Sequence, residues 1–108
     1  MPKFILAFHG TPDIKSPQEG QQMMQEWHAW NEGMRKNIVD EGHPVGISHT
    51  VHKDGIDENG GSNPLSGFTL VDAADMSAAC KLAEGCPLVT KGWGSVEVAE
   101  CMDMTMNG

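Results

Sequence analysis

Apolar and polar positions alternate along the chain in blocks of two different periods, and the blocks predict six elements. Residues 3–9, Lys-Phe-Ile-Leu-Ala-Phe-His, are rich in β-formers and read as a strand. Gly10, Thr11, Pro12 and Asp13 break it. Ser16-Pro17-Gln18-Glu19 is a capping box with proline at the first helical position. Met23, Trp27, Trp30 and Met34 then fall on one helical stripe, with Met24 beside them. Gly33 weakens this helix, and Gly42, after Ile38-Val39, is the expected terminator. Residues 44–52 alternate as a second strand, with Val45, Ile47 and Val51 on one parity and Ser48, Thr50 and His52 on the other.

Residues 53–66 form a loop by composition, long for a compact domain and therefore a candidate functional segment. A third strand runs from Gly67 to Val71. Asp75 is the expected N-cap of a second helix through Glu84, with Met76, Ala79, Cys80 and Ala83 as its buried stripe and Gly85 and Pro87 as its stop. Residues 88–94 are irregular, and Ser95 to Glu100 make the fourth strand. The alternation of Met102, Met104 and Met106 extends this pattern as an edge strand. The order β-α-β-β-α-β predicts an α+β fold, a ferredoxin-like βαββαβ sandwich with both helices on one face of an antiparallel sheet.

The parity of Phe4, Leu6, Phe8, Val45, Ile47, Phe68, Leu70, Val96 and Val98 is expected to face the helices. The opposite parity carries Ile5, Ala7, His9, Ser48, Thr50, His52, Thr69, Val71, Glu97 and Ala99. A wet sheet face carries more Lys and Glu than this. A second subunit packed sheet against sheet is the expected cover, giving a homodimer with a cavity between subunits. The alternative is a solvated face with a few apolar residues.

Composition narrows the class. The length of 108 residues fits one domain. Fifteen Asp and Glu against seven Lys and Arg give a net charge of −8. The acidic residues are spread along the chain, so the charge is a distributed surface property. This balance excludes nucleic acid as the main partner and disfavours docking on anionic membranes. The longest apolar run, Phe4 to Phe8, is too short for a signal core or a membrane span. Cys80, Cys86 and Cys101 contain no C-x-x-C pair and are expected to be reduced, small buried hydrophobes in a cytoplasmic protein.

The motifs resemble those of YCII-related (DGPF-domain) proteins over nearly the whole chain. The resemblance is carried by Pro2-Lys3-Phe4-Ile5-Leu6-Ala7-Phe8-His9-Gly10, the Trp27-x-x-Trp30 pair, and Ile38-Val39-Asp40-x-Gly42-x-Pro44-Val45-Gly46. Asn63-Pro64-x-x-Gly67, Leu82-Ala83-x-Gly85-Cys86-Pro87 and Gly94-Ser95-Val96-Glu97-Val98-x-Glu100 add to it. The resemblance implies a ferredoxin-like subunit and a dimeric α+β barrel. It also implies an acid–base site that pairs a helix-1 His with an Asp near the helix end, and some similar proteins are dehydrohalogenase-like enzymes. Asp40 matches the family Asp. His28 is the nearest histidine, though farther from Asp40 than the family spacing, and Trp30 stands near the family His position.

The residues themselves suggest a second arrangement. A His beside a carboxylate is suited to acid–base work near neutral pH. His9 and His52 end two strands on one parity and are expected to line a cleft at the dimer face, with Thr50, Thr69 and Glu97 as polar neighbours. Hydrogen-bonded interface residues are the plainer account of them. His28 otherwise reads as a solvated helix residue, Asp40 as a turn cap, His43 as a loop residue and His49 as a buried, satisfied histidine. Trp27 and Trp30 read first as core and second as an aromatic wall for a ligand.

No metal or cofactor is expected. His49 and His52 would point to opposite faces of a strand, the acidic 53–66 loop lacks the EF-hand pattern, and Gly92-x-Gly94 lacks a dinucleotide-binding context. Two functions remain: a cofactor-independent acid–base enzyme or small-molecule binder, or a non-catalytic ligand-binding or protein-interaction module.

Overall fold

The computed structural model describes residues 1–104. The elements are β1 (Lys3–Gly10), α1 (Pro17–Gly33), a 3-10 turn (Arg35–Asn37), β2 (Ile38–Pro44), β3 (Thr50–His52), β4 (Gly55–Asp57), β5 (Leu65–Asp72), α2 (Met76–Glu84), α3 (Pro87–Thr90) and β6 (Gly94–Glu100). Four strands form an antiparallel sheet in the order β2-β5-β1-β6, which is the ferredoxin-like order with a βαββαβ chain path. The helices lie on one face of it, so the expected sandwich is present.

Local chemistry sets the helix starts. The Ser16 hydroxyl accepts the Glu19 amide at 3.1 Å, Pro17 opens α1, and the Glu19 carboxylate accepts the Lys15 amide at 2.8 Å. The Asp75 carboxylate accepts the Ala78 amide at 2.9 Å and caps α2. β1 alternates strictly: Phe4, Leu6 and Phe8 are buried, and Ile5, Ala7 and His9 face the other way.

Four expectations change. Helix α1 ends at Gly33, not near Gly42, because Ile38-Val39 are β-branched and pair with β5 as strand β2. The second sheet strand is therefore Ile38–Pro44, not 44–52. Residues 45–49 have no regular structure, and Thr50–His52, from the end of the expected second strand, pairs with Gly55–Asp57, from the expected loop, in a separate hairpin. Val45 and Ile47 are accordingly exposed, as is His49.

β5 presents the opposite parity from the one expected. Phe4 pairs with Val71, Leu6 with Thr69 and Phe8 with Gly67, and residues opposite in register share a face. Thr69 and Val71 thus face the helices, while Phe68 and Leu70 stand on the outer face with Ile5 and Ala7. Cys86 is buried and Cys101 is half-buried, but Cys80 is exposed. Residues 101–104 are not strand, although the Cys101 amide reaches the Lys3 carbonyl at 2.8 Å; Met106 lies outside the described residues.

The core joins Phe4, Leu6, Phe8 and Val71 to Met34, Ala79, Ala83, Cys86 and Leu88. Helix α1 contributes no fully buried residue, and its Trp27 and Trp30 only half sink into the core. Both indoles pack edge to face on Phe8 of β1. No helix of the described residues is long and apolar enough to cross a membrane.

Candidate functional site

Between α1 and the β1–β5–β2 side of the sheet lies a cleft of about 460 Å³. Its apolar wall comes from Phe8 at the end of β1 and from Met23, Met24 and Trp27 on α1. Phe8, Trp27 and Trp30 form an edge-to-face triad with ring centroids 5.3, 5.4 and 5.9 Å apart. Trp30 stands behind this wall. Its indole N–H donates to the Leu82 carbonyl at 2.8 Å, so it staples α1 to the end of α2.

The polar groups of the cleft are few. Thr11 follows β1, Asn31 is on the last turn of α1, Glu41 comes from β2, and Ser66 and Thr69 come from β5; His43 borders the cleft, but its ring packs on Phe68, its register partner on the outer face. Glu41 reaches the cleft because β2 is irregular. The register slips between Asp40 and His43, and Gly42 takes a positive φ of 70°. A side chain at position 42 would run into the Phe68 carbonyl, so this bulge needs glycine. The buried Thr69 hydroxyl donates to the Glu41 carbonyl at 3.0 Å and fixes the bulge from below. Asp40 accepts the Gly42 amide at 2.8 Å across the same turn.

The structure places the expected site residues in six locations, Trp30 behind the cleft wall being one of them. Thr69 alone among them contributes to the cleft. His28 is exposed on α1, 4.0 Å from Glu32. The stronger partner of Glu32 is Arg35, whose hydrogen bond lowers the carboxyl pKa and raises that of the guanidinium. Asp40 pairs in register with Leu70 and is a turn cap. His52 is on the hairpin, 3.4 Å from Asp57, and the Thr50 hydroxyl donates to the Asn59 carbonyl at 2.7 Å. Neither belongs to the main sheet, so His9 and His52 do not share its parity.

His9 and Glu97 are brought together on the outer sheet face, Nε2 to Oε1 at 3.0 Å. The other ring nitrogen, Nδ1, faces the Asn63 carbonyl at 2.9 Å and the Pro64 carbonyl at 3.3 Å. The ring is thereby held between β6 and the segment that leads into β5. Met23 and Met24 of the cleft read in the sequence only as part of the helical stripe of α1, and Asn31 and Glu41 carry no sequence signal. The one available signal was Met24, an exposed methionine beside an apolar stripe. Among the described residues, no group of three or more His, Cys, Asp or Glu side chains is placed to hold a metal ion.

Neither a family model nor a curated protein sequence matches the chain. Among solved structures, the fold is similar to 5-chloro-2-hydroxyhydroquinone dehydrochlorinase from Burkholderia phenoliruptrix AC1100 in complex with 2,5-dihydroxybenzoquinone. The TM-score is 0.60 at 17% sequence identity, over 93% of each chain. This similarity is one of fold and agrees with the ferredoxin-like strand order.

Proposed function

We propose that the protein binds a small, flat, oxygen-substituted ring in the cleft between α1 and β2. The observation that carries this reading is the cleft itself. Its volume of about 460 Å³ suits a one- or two-ring ligand. Aromatic and thioether side chains line one wall, and Thr11, Asn31, Glu41 and Thr69 supply the polar groups. Trp27 offers a ring face or edge for stacking, and the two methionines adapt to ring substituents. The Glu41 carboxylate can accept the proton of a ring hydroxyl while the Asn31 amide donates to a ring oxygen. The similarity to an enzyme bound to a dihydroxybenzoquinone supports the same ligand class.

On this reading the chain is a YCII-related protein, and proton transfer at Glu41 is its chemistry, without cofactor. The homodimer forms through the outer sheet face, where Ile5, Ala7, Phe68 and Leu70 stand half-buried with no helix above them. A second reading, a binding module without catalysis, is favoured by the placement of the histidine–carboxylate pairs. His9–Glu97 lies on the outer sheet face and His28–Glu32 on the exposed side of α1, both away from the cleft.

Titration with 2,5-dihydroxybenzoquinone, followed by tryptophan fluorescence, tests the site. Saturable quenching that Trp27→Ala and Glu41→Gln each weaken is the expected result. No saturable quenching up to millimolar ligand overturns it. Loss of HCl from added 5-chloro-2-hydroxyhydroquinone, read as chloride release and abolished in Glu41→Gln, separates the enzyme from the module.

A further inference from the structure

A second cavity, of about 320 Å³, adjoins the cleft among the β1–α1 connection, the first half of α1 and the turn from α3 into β6. The two share one wall residue, Met23. Ligand pockets run from roughly 300 to 1,000 Å³, so this one suits a small molecule.

Its chemistry differs from that of the mostly apolar cleft, because it carries charges of both signs. Asp13, Glu19 and Glu26 bring three carboxylates, and Lys15 and Lys91 bring two ammonium groups. The signs are interleaved. Lys91 Nζ stands 3.2 Å from Glu26 Oε1, and Lys15 Nζ stands 3.8 Å from Asp13 Oδ2. The Gln22 amide also donates to Glu26 Oε1, at 3.3 Å, and Glu19 Oε2 accepts the Lys15 amide. Among the described residues these contacts engage one oxygen of each carboxylate and one partner of each lysine, so acceptors and N–H donors are both left over. The Lys91–Glu26 pair is the more sheltered, with side chains 38% and 32% exposed; Lys15 and Asp13 are 75% and 66% exposed. The apolar part of the wall is the thioether of Met23 and the indole of Trp93, both half-buried. Trp93 is held in place by its amide, which donates to the carbonyl of the buried Leu88 at 2.9 Å.

A ligand with a single charge meets a conflict here. An anion drawn to the two lysines is brought against three carboxylates, and an amine drawn to the carboxylates is brought against two ammonium groups. A small zwitterion escapes the conflict. Its ammonium takes the spare carboxylate oxygens and its carboxylate takes the spare lysine donors, in charge-assisted hydrogen bonds, while the net charge of the cavity stays as it was. An apolar substituent then lies on Met23 and Trp93. We propose that this cavity is a binding site for a free α-amino acid with an apolar side chain. The site is separate from the ring-binding cleft, and neither reading depends on the other.

Calorimetric titration of the full chain at low ionic strength with L-leucine, 3-methylbutylamine and 4-methylpentanoate tests this. The three share an isobutyl end and differ in charge. Leucine is expected to bind at least about tenfold more tightly than the amine or the acid. Glycine, which has no side chain to lay on Met23 and Trp93, is expected to bind about tenfold more weakly than leucine. Glu26→Gln and Lys91→Gln are each expected to weaken leucine by at least about fivefold with an unchanged circular dichroism spectrum. Asp13→Asn, at an exposed loop position, takes their place if either fails to fold. No binding of leucine up to about 10 mM overturns the proposal. So does an amine or acid that binds as tightly as leucine, or leucine binding that the folded variants leave untouched.

Discussion

The His9 ring lies between two kinds of acceptor: the Glu97 carboxylate at Nε2 and the Asn63 carbonyl at Nδ1. A neutral imidazole donates from one nitrogen only. Each ring nitrogen thus faces its own acceptor, and the ring is held from both sides. The residue acts as a clasp that joins β1, β6 and the 63–64 segment.

The two halves of the clasp are unequal. The His9 side chain is 12% exposed and Glu97 is 71% exposed. Exposed ion pairs contribute about 0–1 kcal/mol, whereas a hydrogen bond from a shielded ring contributes about 1 kcal/mol and also orders a loop. Chemical denaturation is expected to show a loss of about 1–2 kcal/mol for His9→Ala and under about 1 kcal/mol for Glu97→Ala. Amide exchange at 61–66 is expected to quicken in His9→Ala only.

Trp30 stitches α1 to α2 through the Leu82 carbonyl, and Gly85 makes room for it. A Cβ at position 85 would stand 3.0 Å from Trp30 Cδ1. Trp30→Phe loses the N–H donor and leaves a gap, a cost of about 1–3 kcal/mol. Thermal unfolding of a domain this small is expected to drop by roughly 4–8 °C per kcal/mol. Gly85→Ala is expected to cost less, because an indole edge can shift where a backbone cannot.

The β2 bulge positions Glu41, and two residues hold it. Gly42→Ala combines a strained positive φ with a clash against the Phe68 carbonyl, so the largest destabilisation in the site is expected there. Thr69→Val keeps the shape of the buried side chain and removes the donor to the Glu41 carbonyl. Its expected stability loss is about 1–3 kcal/mol. Weaker quenching by 2,5-dihydroxybenzoquinone in Thr69→Val, with a native circular dichroism spectrum, would show that the bulge serves the ligand.

The three thiols differ in reach. Burial pushes the Cys86 pKa up, against a lowering from backbone hydrogen bonds to Leu88 and Val89. Cys80 is exposed and Cys101 half-buried. A disulfide reagent at pH 8 is expected to modify Cys80 first, Cys101 more slowly, and Cys86 only on unfolding. The raised Cys86 pKa also favours the fold below the thiol's unfolded value; that contribution fades as pH climbs through the folded one. Cys86→Ala is expected to flatten this alkaline part of the stability curve.

Much of the fold was written locally. A capping box, an Asp N-cap and an alternating β1 each rest on atoms within four residues, so Ser16, Asp75 and Phe4-x-Leu6-x-Phe8 were legible in the sequence. The cleft was not. Its walls come from the end of β1, from α1, from β2, from β5 and from Leu88, segments far apart in the chain that only the tertiary fold brings together.

The sequence by itself determined the order of elements and the ferredoxin-like class, since hydrophobic period and capping chemistry are short-range. Tertiary structure decided which face each strand shows. In β5, both Phe68-x-Leu70 and Thr69-x-Val71 alternate, and period alone does not choose between them. Pairing with β1 put Gly67, Thr69 and Val71 under the helices and turned Phe68 and Leu70 outward. Pairing with the other edge of β5 drew Ile38–Pro44 into the sheet as β2, while 50–57 paired only with itself outside it. Register is a property of two strands at once, and a single strand's pattern carries no record of its partner.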